Sequence, residues 1–187
     1  MHLIVVRRDA SEFQHLHQTM DADGTWRVPL SVTAAGVYRA FADFTPSGGP
    51  ATTLGVDLFA PGRFVPVPHQ PSRSAEVDGY QVDLAGDLQP GRASTVTLIL
   101  RKDGRPVNDL QPYLAAYGHL VALRQGDLAF LQVHPQGTPG DGHTTAGPEI
   151  AFTIRVPSAG SYRLFLGFQH GGTTHTANFT LATEDRP

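Results

Sequence analysis

Nine histidines punctuate the 187-residue chain, and two of them, His15 and His17, form an H-x-H pair. In an extended strand, residues i and i+2 leave the same face, so both imidazoles can reach one ion. His2 precedes them across a turn around Arg8–Ser11, which sets it on the neighbouring strand, across the ladder from the pair. Three neutral imidazoles suit copper or zinc better than calcium or magnesium, which take oxygen ligands. Met1, beside His2, offers a thioether of the kind that suits Cu(I). The second half repeats part of this pattern with His119 and His134, but Gln132 stands where His15 does. His170 is the candidate third ligand there, with His175 five residues on. The candidate metal ligands are therefore His2, His15, His17, His119, His134 and His170, with copper the expected ion and zinc the other option. His69 and His143 sit in Pro/Gly-rich stretches and read as solvated. The competing reading is that the histidines are incidental. H-x-H alone is a weak signal, and internal repetition also preserves residues that merely pack or hydrogen-bond.

Other chemistry is thin, and the chain reads as a non-enzyme. With no cysteine, thiolate metal sites, cysteine nucleophiles and a His₂Cys blue-copper centre are excluded. There is no G-x-S-x-G, no phosphate-cradling glycine loop and no paired carboxylate arrangement. Arg7 and Arg124 are expected to pair with nearby aspartates. Tyr38 and Tyr162 are expected to pack near a sheet corner.

The elements that must carry these residues are strands, and they come twice. MHLIVVRRDASEFQHLH (1–17) aligns without a gap on GHLVALRQGDLAFLQVH (118–134), pairing His2 with His119, Arg7 with Arg124, Phe13 with Phe130 and His17 with His134. TWRVPLSVTAAGVYRAFADF (25–44) then aligns on EIAFTIRVPSAGSYRLFLGF (149–168). Trp26, Val28, Leu30 and Val32 alternate with polar or small residues, as Ile150, Phe152, Ile154 and Val156 do. This period of two predicts half-buried strands in both copies. No segment holds a helical period over three turns, and Leu110–Tyr117 has room for one helical turn at most. The second copy is preceded by two further strands, Tyr80–Ala85 and Ser94–Arg101, with a turn at Lys102-Asp103-Gly104, whereas the first has no counterpart to them.

The expected fold is all-β, with two tandem immunoglobulin-like β-sandwich units, residues 1–68 and 76–187, the first lacking its N-terminal strands. A sandwich short of two strands leaves an open edge and a half-covered core. Either chain upstream of Met1 or another chain is expected to supply them. That edge makes a protein partner or a homo-oligomer a further expectation. A linker rich in proline is expected over Pro61–Ala75. A formal net charge of −3 with only 17% charged residues argues against a nucleic-acid partner. No apolar run is long enough for a transmembrane helix. The apolar residues of MHLIVVRRDA precede its arginines, the reverse of an export signal.

MHLIVVRRDASEFQHLH, DGTWRVPLSVTAAGVYRAFADF, DLQPYLAAYGHLVALRQGDLAFLQVHP and YRLFLGFQHGG resemble secreted or lipid-anchored bacterial proteins of tandem immunoglobulin-like domains, often described as heavy-metal or copper associated. The resemblance covers nearly the whole chain. It implies an extracytoplasmic location and a His-x-His-Pro at the end of the second strand of each copy. Here the first copy reads His15-Leu16-His17-Gln18 and the second Gln132-Val133-His134-Pro135, so each copy departs from the pattern by one residue. The expected function is non-enzymatic extracytoplasmic metal binding. The alternative is a structural or protein-interaction immunoglobulin-like module.

Overall fold

The computed structural model describes residues 1–131 and 133–183. Its regular structure is entirely β, with no helix among the described residues. The chain divides into two compact units, Met1–Pro68 with Gly126–Leu128, and His69–Gln125 with Ala129–Pro187.

The first unit holds β1 (His2–Arg7), β2 (Gln14–Leu16), β3 (Thr19–Met20), β4 (Trp26–Arg27), β5 (Gly36–Phe44) and β6 (Thr52–Ala60). Four of these form one antiparallel sheet in the order β2-β1-β5-β6, and β3 and β4 form a separate two-stranded ribbon. The second unit holds β7 (Ser74–Val77), β8 (Tyr80–Ala85), β9 (Ala93–Lys102), β10 (Arg105–Pro106), β11 (Gly118–Arg124), β12 (Phe130–Leu131), β13 (Val133–Pro135), β14 (Glu149–Arg155), β15 (Gly160–His170) and β16 (Thr173–Thr183). Its two sheets run β13-β14-β9-β8-β7, with β10 on β9, and β12-β11-β15-β16. Period-two alternation aims Val82, Leu84, Val96, Leu98, Phe152 and Ile154 of one sheet at Leu120, Ala122, Tyr162, Leu164, Leu166 and Phe179 of the other, in one buried core. The second unit is thus a complete β-sandwich.

The two four-stranded sheets share one register. His2 faces Asp43 as His119 faces Gly167. Val5 faces Gln14 as Ala122 faces Leu131. Both copies also close the same corner. The Tyr38 hydroxyl donates to the Ala34 carbonyl at 2.8 Å and the Tyr162 hydroxyl to Ser158 at 2.6 Å, each four residues upstream. Such a buried tyrosine is a feature of immunoglobulin-type sandwiches.

What the first unit lacks is the second sheet. In β6 the core-side positions are Leu54 and Val56, 58% and 57% exposed. Their register counterparts Ala177 and Phe179 are buried. The expected strand over Trp26–Val32 does not form, and only Trp26–Arg27 pairs, with Thr19–Met20. The reason is a missing ladder. In the second unit β14 is held edge to edge by β9, and residues 1–68 contain no counterpart of β9. A strand without a neighbour cannot satisfy its backbone groups in a sheet, so residues 28–35 run as irregular chain. The two copies therefore share their four-stranded sheets but not this segment.

The turn regions follow local chemistry. Residues 113–116 close a tight turn through the Tyr113–Ala116 pair, with Leu114 and Ala115 at φ of 50° and 66°. At the end of β1, Arg7 clasps Asp9 in a two-pronged pair, Nε to Oδ1 at 3.0 Å and Nη2 to Oδ2 at 2.8 Å. The Ser11 amide and hydroxyl also donate to Asp9, as does the Val67 amide. Arg7 further donates to the Val65 carbonyl and lies over the Phe64 ring. The first part of the expected linker is thereby tied to β1. The last part belongs to the sandwich, where Ser72 pairs with Thr180 and β7 begins at Ser74. Arg124, the counterpart of Arg7, donates to the Ser158 hydroxyl.

Candidate metal centre

Antiparallel pairing fixes which side chains meet. Residues directly opposite one another point to the same face. Ile4 faces His15 on β2, and Leu3 faces Leu16. Continuing that register by one residue sets His17 beside His2. His2, His15 and His17 therefore share one face of the β1–β2 pair, while Leu3, Val5 and Leu16 take the other. The histidine face also carries Ile4, Val6 and Phe41, all buried.

The His15 ring lies against each of the other two. His2 Nδ1 and His15 Nε2 share a hydrogen bond of 3.0 Å. The His2–His15 and His15–His17 ring centroids are each 5.2 Å apart. Partial desolvation pushes the His17 imidazole below its ordinary pKa, favouring the neutral form that a metal ion needs. Two nitrogens bound at about 2.05 Å with a tetrahedral angle lie about 3.3 Å apart. The His2 and His15 nitrogens are thus close to ligand spacing. Among the described residues no three histidine, aspartate or glutamate side chains are grouped so that they could hold a metal ion as they stand. A bound ion would have to replace the His2–His15 hydrogen bond and draw the His17 ring inward.

One further group in this region escaped the sequence reading. Asp43, directly opposite His2 across β1 and β5, lies on the histidine face. Its Oδ1 accepts a 2.7 Å hydrogen bond from the Thr53 hydroxyl on β6. Nothing in the spacing of Asp43 marks it. It becomes visible only once the β1–β5 register is known.

The second copy is arranged otherwise. His119 lies on β11 in the β12-β11-β15-β16 sheet, whereas His134 lies on β13 in the other sheet. The chain crosses between layers after Leu131, and this disperses the pair. His119 Nε2 donates to the Tyr113 carbonyl at 2.7 Å. His170 has both ring nitrogens engaged. Its Nδ1 accepts from the Tyr80 hydroxyl at 2.7 Å and its Nε2 donates to Asp109 at 3.0 Å. Lys102 donates to the same phenol at 3.2 Å, and His175 donates to Asp78 at 2.7 Å. Packed at a tilt against Tyr80 and Phe168, His175 belongs to an aromatic and polar cluster of the sandwich. Gln132 lies outside the described residues. His143 is exposed in its loop and His69 is half-buried.

Residues 75–185 match the model of a family described as a domain of unknown function (DUF8832). No curated protein and no solved structure matches the chain. The matched residues make up nearly all of the complete sandwich, and the His2, His15 and His17 cluster lies outside them. No helix among the described residues is long and apolar enough to cross a membrane.

Proposed function

We propose that this chain, which belongs to the DUF8832 family of domains of unknown function, is a non-enzymatic metal-binding protein whose centre is His2, His15 and His17. Copper is the favoured ion, zinc the second, and the working location is extracytoplasmic. One observation carries the reading: the imidazoles of His2 on β1, His15 on β2 and His17 just past the end of β2 cluster together, with two of their nitrogens 3.0 Å apart. Imidazole is the ligand that copper and zinc share. The apolar Ile4 and Phe41 beside the rings supply the dry shell that strengthens such bonds.

The test is titration of the purified chain with Cu(II) and Zn(II), followed calorimetrically, against His15→Ala and His17→Ala. The native chain takes up one equivalent. Each variant loses at least tenfold in affinity while keeping the native circular dichroism spectrum. Equal affinity in His17→Ala overturns the reading.

A second reading, a structural or protein-interaction module, is favoured by a separate observation. The first unit leaves Trp26, Leu54, Val56 and Phe59 exposed, which marks surface suited to an interface.

A further inference from the structure

We infer that Asp43 is the fourth ligand of this centre, so that the first unit holds a three-imidazole, one-carboxylate site selective for divalent copper or zinc over Cu(I). The inference rests on the metal reading above and extends it to ligand set and oxidation state.

The argument starts from the register. His2 pairs with Asp43 and Asp43 with Thr53, and His17 follows from the β1–β2 pairing. One transverse row of the sheet thus reads His2, Asp43, Thr53, all on the same face, with His15 diagonal to His2 and His17 following just past the end of β2. The carboxylate is already oriented, since Thr53 donates to Oδ1 and leaves Oδ2 for an ion. Metal-ligating carboxylates are held in this way by outer hydrogen bonds. His2 and Asp43 also line one open surface depression with Met1, Phe44 and Thr45, so an ion can reach both groups from solvent.

The donor set decides the oxidation state. A carboxylate oxygen is hard and carries charge, which favours a divalent ion. Cu(I) prefers soft sulfur, and the four ligands of this centre contain none. The second copy supplies an internal control. At the position of Asp43 it has Gly167, opposite His119 and beside Thr176. The row there keeps His119, the counterpart of His2, and loses the carboxylate. One divalent site per chain follows.

The experiment titrates the full chain with Cu(II), Zn(II) and Cu(I) salts in a non-chelating buffer, for the native protein, Asp43→Asn, Thr53→Val and His17→Ala. Electron paramagnetic resonance is recorded on the Cu(II) forms. Asp43→Asn is expected to weaken Cu(II) and Zn(II) by about tenfold or more, to change the Cu(II) spectrum and to leave Cu(I) affinity within about twofold. Thr53→Val weakens Cu(II) by a smaller factor. If His17→Ala loses Cu(II) while Asp43→Asn keeps native affinity and spectrum, the imidazole centre stands and the role of Asp43 is overturned. If the native chain binds none of the three ions, both readings fall. Urea unfolding of Asp43→Asn distinguishes a lost ligand from a lost fold.

Discussion

Two leucines belong to the same cross-strand pair in the two units, on opposite strands of it, and should differ several-fold in what they contribute. In the first unit Ala42 faces Leu54 across β5 and β6, and in the second Leu166 faces Ala177 across β15 and β16. The cross-strand pair is the same with its members exchanged. Leu166 is fully buried in the sandwich core, whereas Leu54 is 58% exposed. Leu166→Ala removes buried atoms and leaves a cavity, at a cost of about 2–5 kcal/mol. Leu54→Ala removes a side chain that is only two-fifths covered. Full burial of a leucine contributes about 1.5–3 kcal/mol, so the loss is about 1 kcal/mol or less. Urea unfolding measures both. Trp26, the single tryptophan, reports the first unit by fluorescence, and far-ultraviolet circular dichroism reports the strands of both. With a denaturant slope of about 1.5 kcal/mol per M, the midpoint should fall by about 1.3–3.3 M for Leu166→Ala and by less than about 0.7 M for Leu54→Ala. Equal shifts would mean that Leu54 is covered in solution, and the picture of an apolar face left open along β6 would be wrong.

Three further outcomes follow from the polar contacts. Asp9→Asn leaves the buried Arg7 guanidinium without its charge partner and should cost about 3 kcal/mol in Trp26-detected unfolding; a change below about 0.5 kcal/mol would show the pair to be solvated. Burial alone would raise the Asp9 carboxyl, but hydrogen bonds from Arg7, Val67 and Ser11 outweigh it and hold the group well below the usual carboxylate range. Because the folded pKa is depressed, this stabilisation is complete above the unfolded value of about 3.9 and drains away as pH falls below it. Midpoints recorded between pH 6 and pH 3 should therefore drop more steeply for the native chain than for Asp9→Asn. Tyr38→Phe and Tyr162→Phe each remove one corner hydrogen bond and should each cost about 1–2 kcal/mol, read in the same unfolding curves; two neutral substitutions would show that the corner contributes nothing.

The sequence made the all-β class and the repeat legible, because both rest on local alternation and self-alignment. It misjudged the stretch from Trp26 to Val32, whose alternation is as regular as that of β14. Alternation states which face a strand would bury, but a strand exists only beside a neighbour, and the neighbour of β14 is β9, whose counterpart residues 1–68 lack. The same limit governed the histidines. His15 and His17 could be paired from spacing alone, and His2 from the turn between them. His134 could not be separated from His119 in this way, since the sequence does not show that the chain changes layers after Leu131. Asp43 was invisible for the complementary reason: its partner His2 is 41 residues away in the chain and adjacent only through the β1–β5 register.

The face alternation also separates the two readings of the first unit. Leu3, Val5 and Leu16 pair with or flank Ala42, Ala40 and Leu54 on one side of the sheet, while His2, His15, His17 and Asp43 lie on the other. The apolar side, buried at Val5, Tyr38 and Ala40 and open at Leu54 and Val56, and the candidate metal side are back to back. A partner that covers Leu54 and Val56 therefore need not occlude the ion, and an ion need not order the apolar side. Both properties can coexist in one chain, and a single substitution can address one without the other. Leu54→Asp places a charge in the middle of the apolar side without touching a ligand. It should leave Cu(II) affinity within about twofold and abolish any self-association seen by sedimentation of the native chain. If Cu(II) affinity instead falls together with association, the histidines are brought into play by the partner, and the centre belongs to the assembly rather than to the first unit alone.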